Sequence, residues 1–389
     1  MRVHEAIAGS WREQWAPFED AVYLNTAAQG AMPQVSHDAV QTALTAKRYP
    51  HRSSDAVYFD ATNRLRQSLA QLIGARADEI AINTGASAGL LNVVHGLEWR
   101  AGDEVITAAG EFPLQYATWK PLEGREGVRL KIVTPAGRFI TADDVIAAIT
   151  PKTRVVSVSH VRFDDASLLD AARVGEFCRR HDVLFVLDIT QSCGALPLDV
   201  HALGADVVVC AGYKWLLSPY GTGFMWARRE RLDEWRPMPF YWTGQDIGSF
   251  SELNMVNPTP TRDARRLDTA ESASYFNLNV TAFDASVHFV CQVGPEAVRT
   301  HNQELIDMLF AALPSGCMPA SPLDVQQRGP YGCFVAESRE RTTALHRTLR
   351  EHGVFVSLRE GRIRVSPHLF NSGHDIESLV RVVREWTRT

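Results

Sequence analysis

Cysteine is scarce in this sequence and nowhere organised. The six residues Cys178, Cys193, Cys210, Cys291, Cys317 and Cys333 are widely scattered, with no CxxC spacing. That pattern excludes a disulfide framework and a thiolate metal site, and suits buried free thiols in a reducing compartment. The thirteen histidines form no HExxH motif and no tight His/Cys cluster, so no metal centre is expected. No uninterrupted apolar run approaches the length of a membrane span. The opening MRVHEAIAGSWREQW alternates charges and has no apolar core of signal-peptide length, which leads us to expect a cytoplasmic protein. An excess of basic residues is also missing: 40 Lys and Arg stand against 45 Asp and Glu, so nucleic acid is not an expected partner.

What remains is an ordinary globular composition, 45% hydrophobic and 22% charged, over 389 residues. A chain of that length buries a large core and is expected to form two domains, or one large domain with a smaller one appended. Residues Val3 to Trp15 read as a short amphipathic helix, and AVYLNTAAQGAMP as an extended segment entering a turn. Helical spacing recurs over Gln34 to Arg48 and Val57 to Ile73. From Glu79 the pattern alternates. Short apolar runs at Glu79–Asn83, Glu104–Thr107, Arg129–Val133, Arg154–Ser159, Leu184–Asp188 and Asp206–Cys210 read as strands. Helices are expected between them at Ala88–Leu97, after Phe112, at Thr141–Ala148 and at Asp170–His181. Strands alternating with helices predict an α/β fold with a mainly parallel sheet sandwiched by helices. Beyond Gly223 the character changes. Pro237 to Pro260 is rich in Pro, Trp, Tyr and Gly. Two helices (Val280–Val293, Glu296–Leu313) and late strands near Gly332–Ala336, Val354–Ser357 and Ile363–Ser366 then indicate a smaller α+β domain. We expect residues 1–16 as an N-terminal helix packing with the small domain, 17–275 as the large domain and 276–389 as the small one.

Lys214 is the most informative residue. It follows the buried strand ending VVVC, stands between Tyr213 and Trp215, and precedes a Gly-Thr-Gly turn. An amine held among aromatics loses hydration, which disfavours its charged form and makes it a nucleophile toward carbonyls. Upstream, VLFVLDITQS ends another strand in Asp188, with Gln191 three residues later. A carboxylate at a strand mouth can hold a pyridinium proton, and a carbonyl-reactive lysine can carry the aldehyde of pyridoxal phosphate. A lone lysine is more often a solvated charge and a lone Asp a turn former. The combination, in that order and spacing, points to a pyridoxal phosphate enzyme.

Three weaker signals converge with it. NTGASAGL lies between a strand and a helix, so backbone N–H groups at the helix start, with the Ser87 hydroxyl, form an anion site. The same letters would suit a hydrolase nucleophile elbow with Ser87 as nucleophile, but that leaves Lys214 unexplained. Phe112 follows a strand end and is able to lie on a pyridine ring or simply pack in the core. Ser159-His160-Val161 ends a strand at the same edge, where ligands of open α/β sheets gather.

YLNTAAQGAMP, INTGASAGLLN, EFPLQYATW, LDITQSCGALPLDV, AGYKWLLSPYGTGFMW and IRVSPHLFN together resemble the class V aminotransferase family of fold-type I pyridoxal phosphate enzymes. The branch it resembles holds selenocysteine lyases, isopenicillin N epimerases and hercynylcysteine sulfoxide lyases. The resemblance implies a Schiff base at Lys214, Asp188 at the pyridine nitrogen and Gln191 at the phenolic oxygen. It places Ala86, Ser87 and Tyr213 at the phosphate, Phe112 on the ring face, and Arg364, with Asn25, at the substrate. It also implies a homodimer with active sites at the interface. Three departures stand out. Desulfurases of the family carry a mobile cysteine shortly before the carboxylate-binding arginine, and GVFVSLREGRIRVS has none. A serine that many relatives use for phosphate is Ala211 here, and the partner-chain Gly-Thr is blurred to Thr269 or Ser272. The expected activity is therefore a C–S β-elimination lyase without a persulfide cysteine, acting on a small amino acid. An aminotransferase or epimerase on the same scaffold is the alternative, and a catalytically silent binding protein a remote one.

Overall fold

A computed structural model describes residues 11–52, 57–247, 250–269 and 278–388. The predicted N-terminal helix falls mostly outside these residues; of it, only a single 3-10 turn at Arg12–Gln14 and its flanking tryptophans are described. Trp15 donates its indole N–H to the Ala31 carbonyl and meets Phe289, His368 and Phe370 edge-on.

Among the described residues, thirteen strands form three sheets. The first, β1 (Val22–Tyr23), pairs in parallel with β11 (Val354–Phe355) across more than three hundred residues of chain. The main sheet has seven strands: β2 (Ile80–Asn83), β3 (Glu104–Ala108), β4 (Arg129–Val133), β5 (Thr153–Ser159), β6 (Leu184–Asp188), β7 (Val207–Ala211) and β8 (Gly223–Ala227). Their spatial order is β2-β8-β7-β6-β5-β3-β4, and only β8 runs antiparallel to its neighbours. The six strands read from the sequence for this sheet match within one residue at each end, whereas the late run Val354–Ser357 ends two residues beyond β11. The sheet is mainly parallel, as expected for the α/β fold. Strand β8 was not anticipated: GFMWA is short and sits directly behind a turn, so nothing in its pattern separates it from the loop.

Parallel strands covered on both faces must be apolar throughout, rather than alternating. Val207, Val208 and Val209 are all fully buried, as are Phe185, Val186 and Leu187. Each such side chain contributes about 1.5–3 kcal/mol on leaving water. Edge strand β4 is the exception, with Arg129 and Ile132 exposed.

The smaller sheet runs β12 (Ser357–Arg359), β13 (Arg362–Val365), β10 (Gly332–Ala336) and β9 (Cys317–Pro319), all antiparallel. The helices Arg339–Glu351 and Gly373–Trp386 cover it, with Leu345, Leu349, Leu379 and Val383 buried against Phe334 and Ile363. Neither helix was expected from the sequence. Their polar faces are dense in charge, and the first has only two fully buried leucines to mark its period. The helix Leu278–Val293 lies instead against Gln34–Arg48 and Val57–Ile73, where Ser36 Oγ donates to the Ala282 carbonyl.

Candidate active site

The carboxyl ends of β3, β5, β6 and β7, the end of β2 and the loop after β7 surround one cavity of about 310 Å³. Its lining includes Gly85, Ala86, Ser87, Phe112, Ser159, Asp188, Gln191, Ala211, Tyr213 and Lys214. Every cofactor-binding residue named from the sequence therefore reaches the same space. Arg364 and Asn25 do not line it; they stand on neighbouring segments.

Lys214 is 8% exposed. Its ammonium lies 5.4 Å from the centroid of Phe112 and 5.6 Å from that of Tyr213. Burial, reinforced by the Arg364 charge, lowers its pKa to about 8, while Asp188 and Cys210 pull it back up. The lysine loop is held from behind by the N-terminal segment. Gly30 donates its N–H to the Tyr213 carbonyl at 2.9 Å, and a Cβ at Gly30 would stand 2.0 Å from the Lys214 oxygen. No side chain larger than hydrogen fits there.

Asp188 sits beside Ser159 in the parallel register of β5 and β6. Its Oδ1 accepts from the Thr190 N–H at 2.8 Å, which leaves Oδ2 free of hydrogen bonds to described residues. Burial pushes this carboxyl up, against the Thr190 bonds and the Lys214 charge. A buried carboxylate oxygen facing a cavity wants a cationic or N–H partner. Gln191 is gripped at both ends: its Nε2 donates to the Ala27 carbonyl at 3.1 Å, and its Oε1 accepts from Trp215 Nε1 at 2.9 Å.

The helix Ala86–Gly96 begins at the cavity with no side-chain cap. Gly85 holds φ at 155°, and its backbone packs so tightly on β8 that a Cβ at Gly223 would lie 2.5 Å from Gly85 Cα. The free N–H groups of the first turn and the Ser87 hydroxyl thus form a cradle for an anion. Tyr213 stacks on Tyr220 at 4.0 Å, and Tyr220 completes that wall. A carbonyl-reactive amine, a free carboxylate oxygen, an aromatic face and an anion cradle are the donor set that pyridoxal phosphate requires, so the residues fit the group.

Arg364 is 2% exposed, yet it has no carboxylate partner among the described residues. One amino group donates to the Phe163 carbonyl at 2.9 Å, the other reaches Ser357 Oγ at 3.5 Å, and Nε has no partner among the described residues. Burial holds its pKa below the usual guanidinium range. Asn25 Oδ1 accepts from the same Ser357 hydroxyl at 2.6 Å, so Asn25 is linked to Arg364 through Ser357. Cys333 lies directly opposite Arg364 in the β10–β13 register, fully buried, with burial driving its thiol up to about 12. Of the two candidates for the blurred Gly-Thr, Thr269 ties to β2 through the Ile82 carbonyl, and Ser272 lies outside the described residues.

One network escaped the sequence reading. Glu111, buried, accepts from both the N–H and the hydroxyl of Ser159, at 2.9 and 2.6 Å, and pairs with Arg162 at 3.3 Å. Arg162 also reaches Asp164, which pairs with Arg362 at 2.9 Å. The signal was present as a run of Arg162, Asp164 and Asp165 directly behind an apolar strand, where charges are costly unless paired.

The uncharacterized aminotransferase YcbU of Bacillus subtilis is 24% identical to this chain, over 97% of each. The isopenicillin N epimerase of Streptomyces clavuligerus is 27% identical over 92% of this chain and 93% of its own. Among solved structures, the cystine C–S lyase C-DES, in complex with its reaction product cysteine persulfide, superposes with a TM-score of 0.82 at 24% identity, covering 93% of this chain and 97% of its own. A mutant of C-DES with glycine covalently linked to its cofactor reaches 0.85 at 23% identity, over 96% of this chain and 98% of its own. These two share the fold. The model of the class V aminotransferases matches residues 22–382, and the chain therefore belongs to that family of pyridoxal phosphate enzymes.

Proposed function

We propose that the chain carries pyridoxal phosphate on Lys214 and cleaves the Cβ–S bond of a small amino acid by β-elimination. The observation that carries the cofactor assignment is the buried Lys214 amine, half neutral at about pH 8, sharing one cavity with a buried Asp188 whose Oδ2 is unclaimed. Ala86, Ser87 and Tyr213 would hold the phosphate, Gln191 the phenolic oxygen and Phe112 a ring face. Bound there, the group supplies an electron sink for the pair left when a Cα proton departs. Lys214, freed by the substrate amine, takes that proton; its lowered pKa keeps a useful fraction of neutral amine near pH 8. Arg364 orients the substrate through its α-carboxylate, using the unpaired Nε edge of a fork that lysine cannot reproduce.

A lyase is favoured over a persulfide-forming desulfurase by Cys333. It is the cysteine facing Arg364, but it is sealed from the cavity and its thiol is held in the unreactive protonated form. We place the work in 17–275 with 276–389 closing over it, in a cytoplasmic homodimer. The test is incubation of holoenzyme with a panel of sulfur amino acids. Pyruvate, ammonia and a thiol in equal amounts support elimination. Accumulation of pyridoxamine phosphate would assign amino transfer, and loss of optical rotation without pyruvate an epimerase.

A further inference from the structure

The smaller sheet places three arginines on one face. Strands β12 and β13 are joined by Glu360-Gly361, both with positive φ (47° and 78°), the two-residue turn whose twist matches a hairpin. That turn fixes the register, pairing Ser357 with Arg364 and Arg359 with Arg362. Cross-strand partners and alternate residues share a face, so Ser357, Arg359, Arg362 and Arg364 project together. They project toward the segment after β5, because Arg364 bonds the Phe163 carbonyl and Arg362 pairs with Asp164.

Like charges set opposite each other are unfavourable unless something neutralises them. Of the three, only Arg362 has a carboxylate among the described residues. Arg359, half-buried at the hairpin end, makes a single hydrogen bond, to the Leu358 carbonyl at 3.0 Å, and no ion pair among the described residues. Its charge is nevertheless felt at both Lys214 and Arg364. The acids nearby are committed elsewhere: Glu111 to Arg162 and Ser159, Asp164 to Arg162 and Arg362, Asp165 to the Ser167 N–H. Two guanidiniums on this face therefore have no carboxylate partner among the described residues, and an α-carboxylate occupies one.

We infer that Arg359 binds a second anionic group, so that the substrate is an amino acid whose side chain ends in an acid, a carboxylate or a sulfur oxyacid. The inference rests on the α-carboxylate reading of Arg364. The cavity that holds Lys214 is lined in part by Phe112, Leu114, Val161 and Phe163, which suit a short apolar spacer.

The test titrates holoenzyme with L-aspartate, L-glutamate and L-cysteine sulfinate beside the neutral isosteres L-asparagine and L-glutamine, following the visible band of the cofactor. Glutarate against butyrate, measured by calorimetry, gives a readout independent of amine chemistry. Wild type is expected to favour the acids by about tenfold or more, the scale of one charge-assisted hydrogen-bonded contact. Arg359→Gln should abolish that preference by weakening the acids alone, and Arg359→Lys should restore part of it. Arg364→Lys should weaken acids and amides alike. Equal binding of acids and amides by wild type, or an equal loss for both in Arg359→Gln, overturns the inference while leaving the cofactor reading intact. A protein that acquires no visible band with pyridoxal phosphate overturns both.

Discussion

Trp215 donates its indole N–H to Oε1 of Gln191, and this one bond settles which way the Gln191 amide points. Indole nitrogen is a donor only, so the atom it meets must be the oxygen. The amino end is then the one that bonds the Ala27 carbonyl, with its second hydrogen left for the cavity. Gln191 is thereby fixed as a donor toward whatever lies there. Trp215→Phe removes the lock. We expect a loss of about 1–3 kcal/mol in unfolding free energy, from a buried acceptor left unpaired, together with a shifted cofactor absorption band. An unchanged band would mean that Gln191 does not meet the phenolic oxygen.

Lys214→Ala should still bind pyridoxal phosphate through the remaining cradle, but without a covalent bond. Borohydride treatment followed by peptide mapping checks this. Label is expected on Lys214 in the wild type and on no residue in the variant.

Asp188→Ala should stay folded, because the Asp188 side chain is hydrogen-bonded only to the local Thr190. Exchange of the substrate Cα proton, followed by NMR in deuterium oxide, should slow by about a hundredfold or more, as expected for loss of a group that stabilises developing charge. Turnover near the wild-type rate would remove Asp188 from the pyridine nitrogen.

The Lys214 amine reacts with an aldehyde only when neutral, and its pKa stands at about 8 in the folded chain. Recombination of apoenzyme with pyridoxal phosphate should therefore accelerate as pH rises through about 8 and level off above it. Asp188 raises that pKa and Arg364 lowers it. The midpoint should move down in Asp188→Asn and up in Arg364→Gln. Stopped-flow absorbance, scanned from roughly two units below that midpoint to two above, reads both directions.

Arg364→Lys should raise amino-acid dissociation constants by more than about tenfold, since charged hydrogen bonds contribute roughly 1.5–3 kcal/mol each, while pyridoxal phosphate affinity stays as in wild type. Equilibrium titration of each ligand separates the two. Full-strength amino-acid binding in the variant would move α-carboxylate recognition elsewhere.

Much of this site could be read from the sequence because local pattern encodes it. Asp188 and Lys214 each terminate or follow a buried β-branched run, and strand ends in such a sheet converge on one edge. Arg364 was legible through the resemblance of IRVSPHLFN to the family rather than through local pattern. What stayed hidden depends on distant partners. Nothing near Gln191 announces that Trp215 will fix its amide. Nothing near Glu111 shows that Ser159 and Arg162 will satisfy it. Arg359 was legible only as the second candidate for a carboxylate, and the hairpin register sets it opposite Arg362. Strand β1 is two residues long and exists because β11 lies beside it.

That last pairing bears on how the protein comes to be. Residues 22–30 make backbone bonds to Gly353, Phe355 and Ser366 on one side and to Tyr213 on the other. As the polypeptide leaves the ribosome, the segment that buttresses Lys214 can meet Gln191 and Tyr213 midway, but its strand partners arrive only when almost the last strand has been made. Contacts of such long sequence separation are slow to close, and the cavity stays open on that flank while they are pending. The flank of the cavity behind Lys214 is thus among the last parts of the fold to be completed.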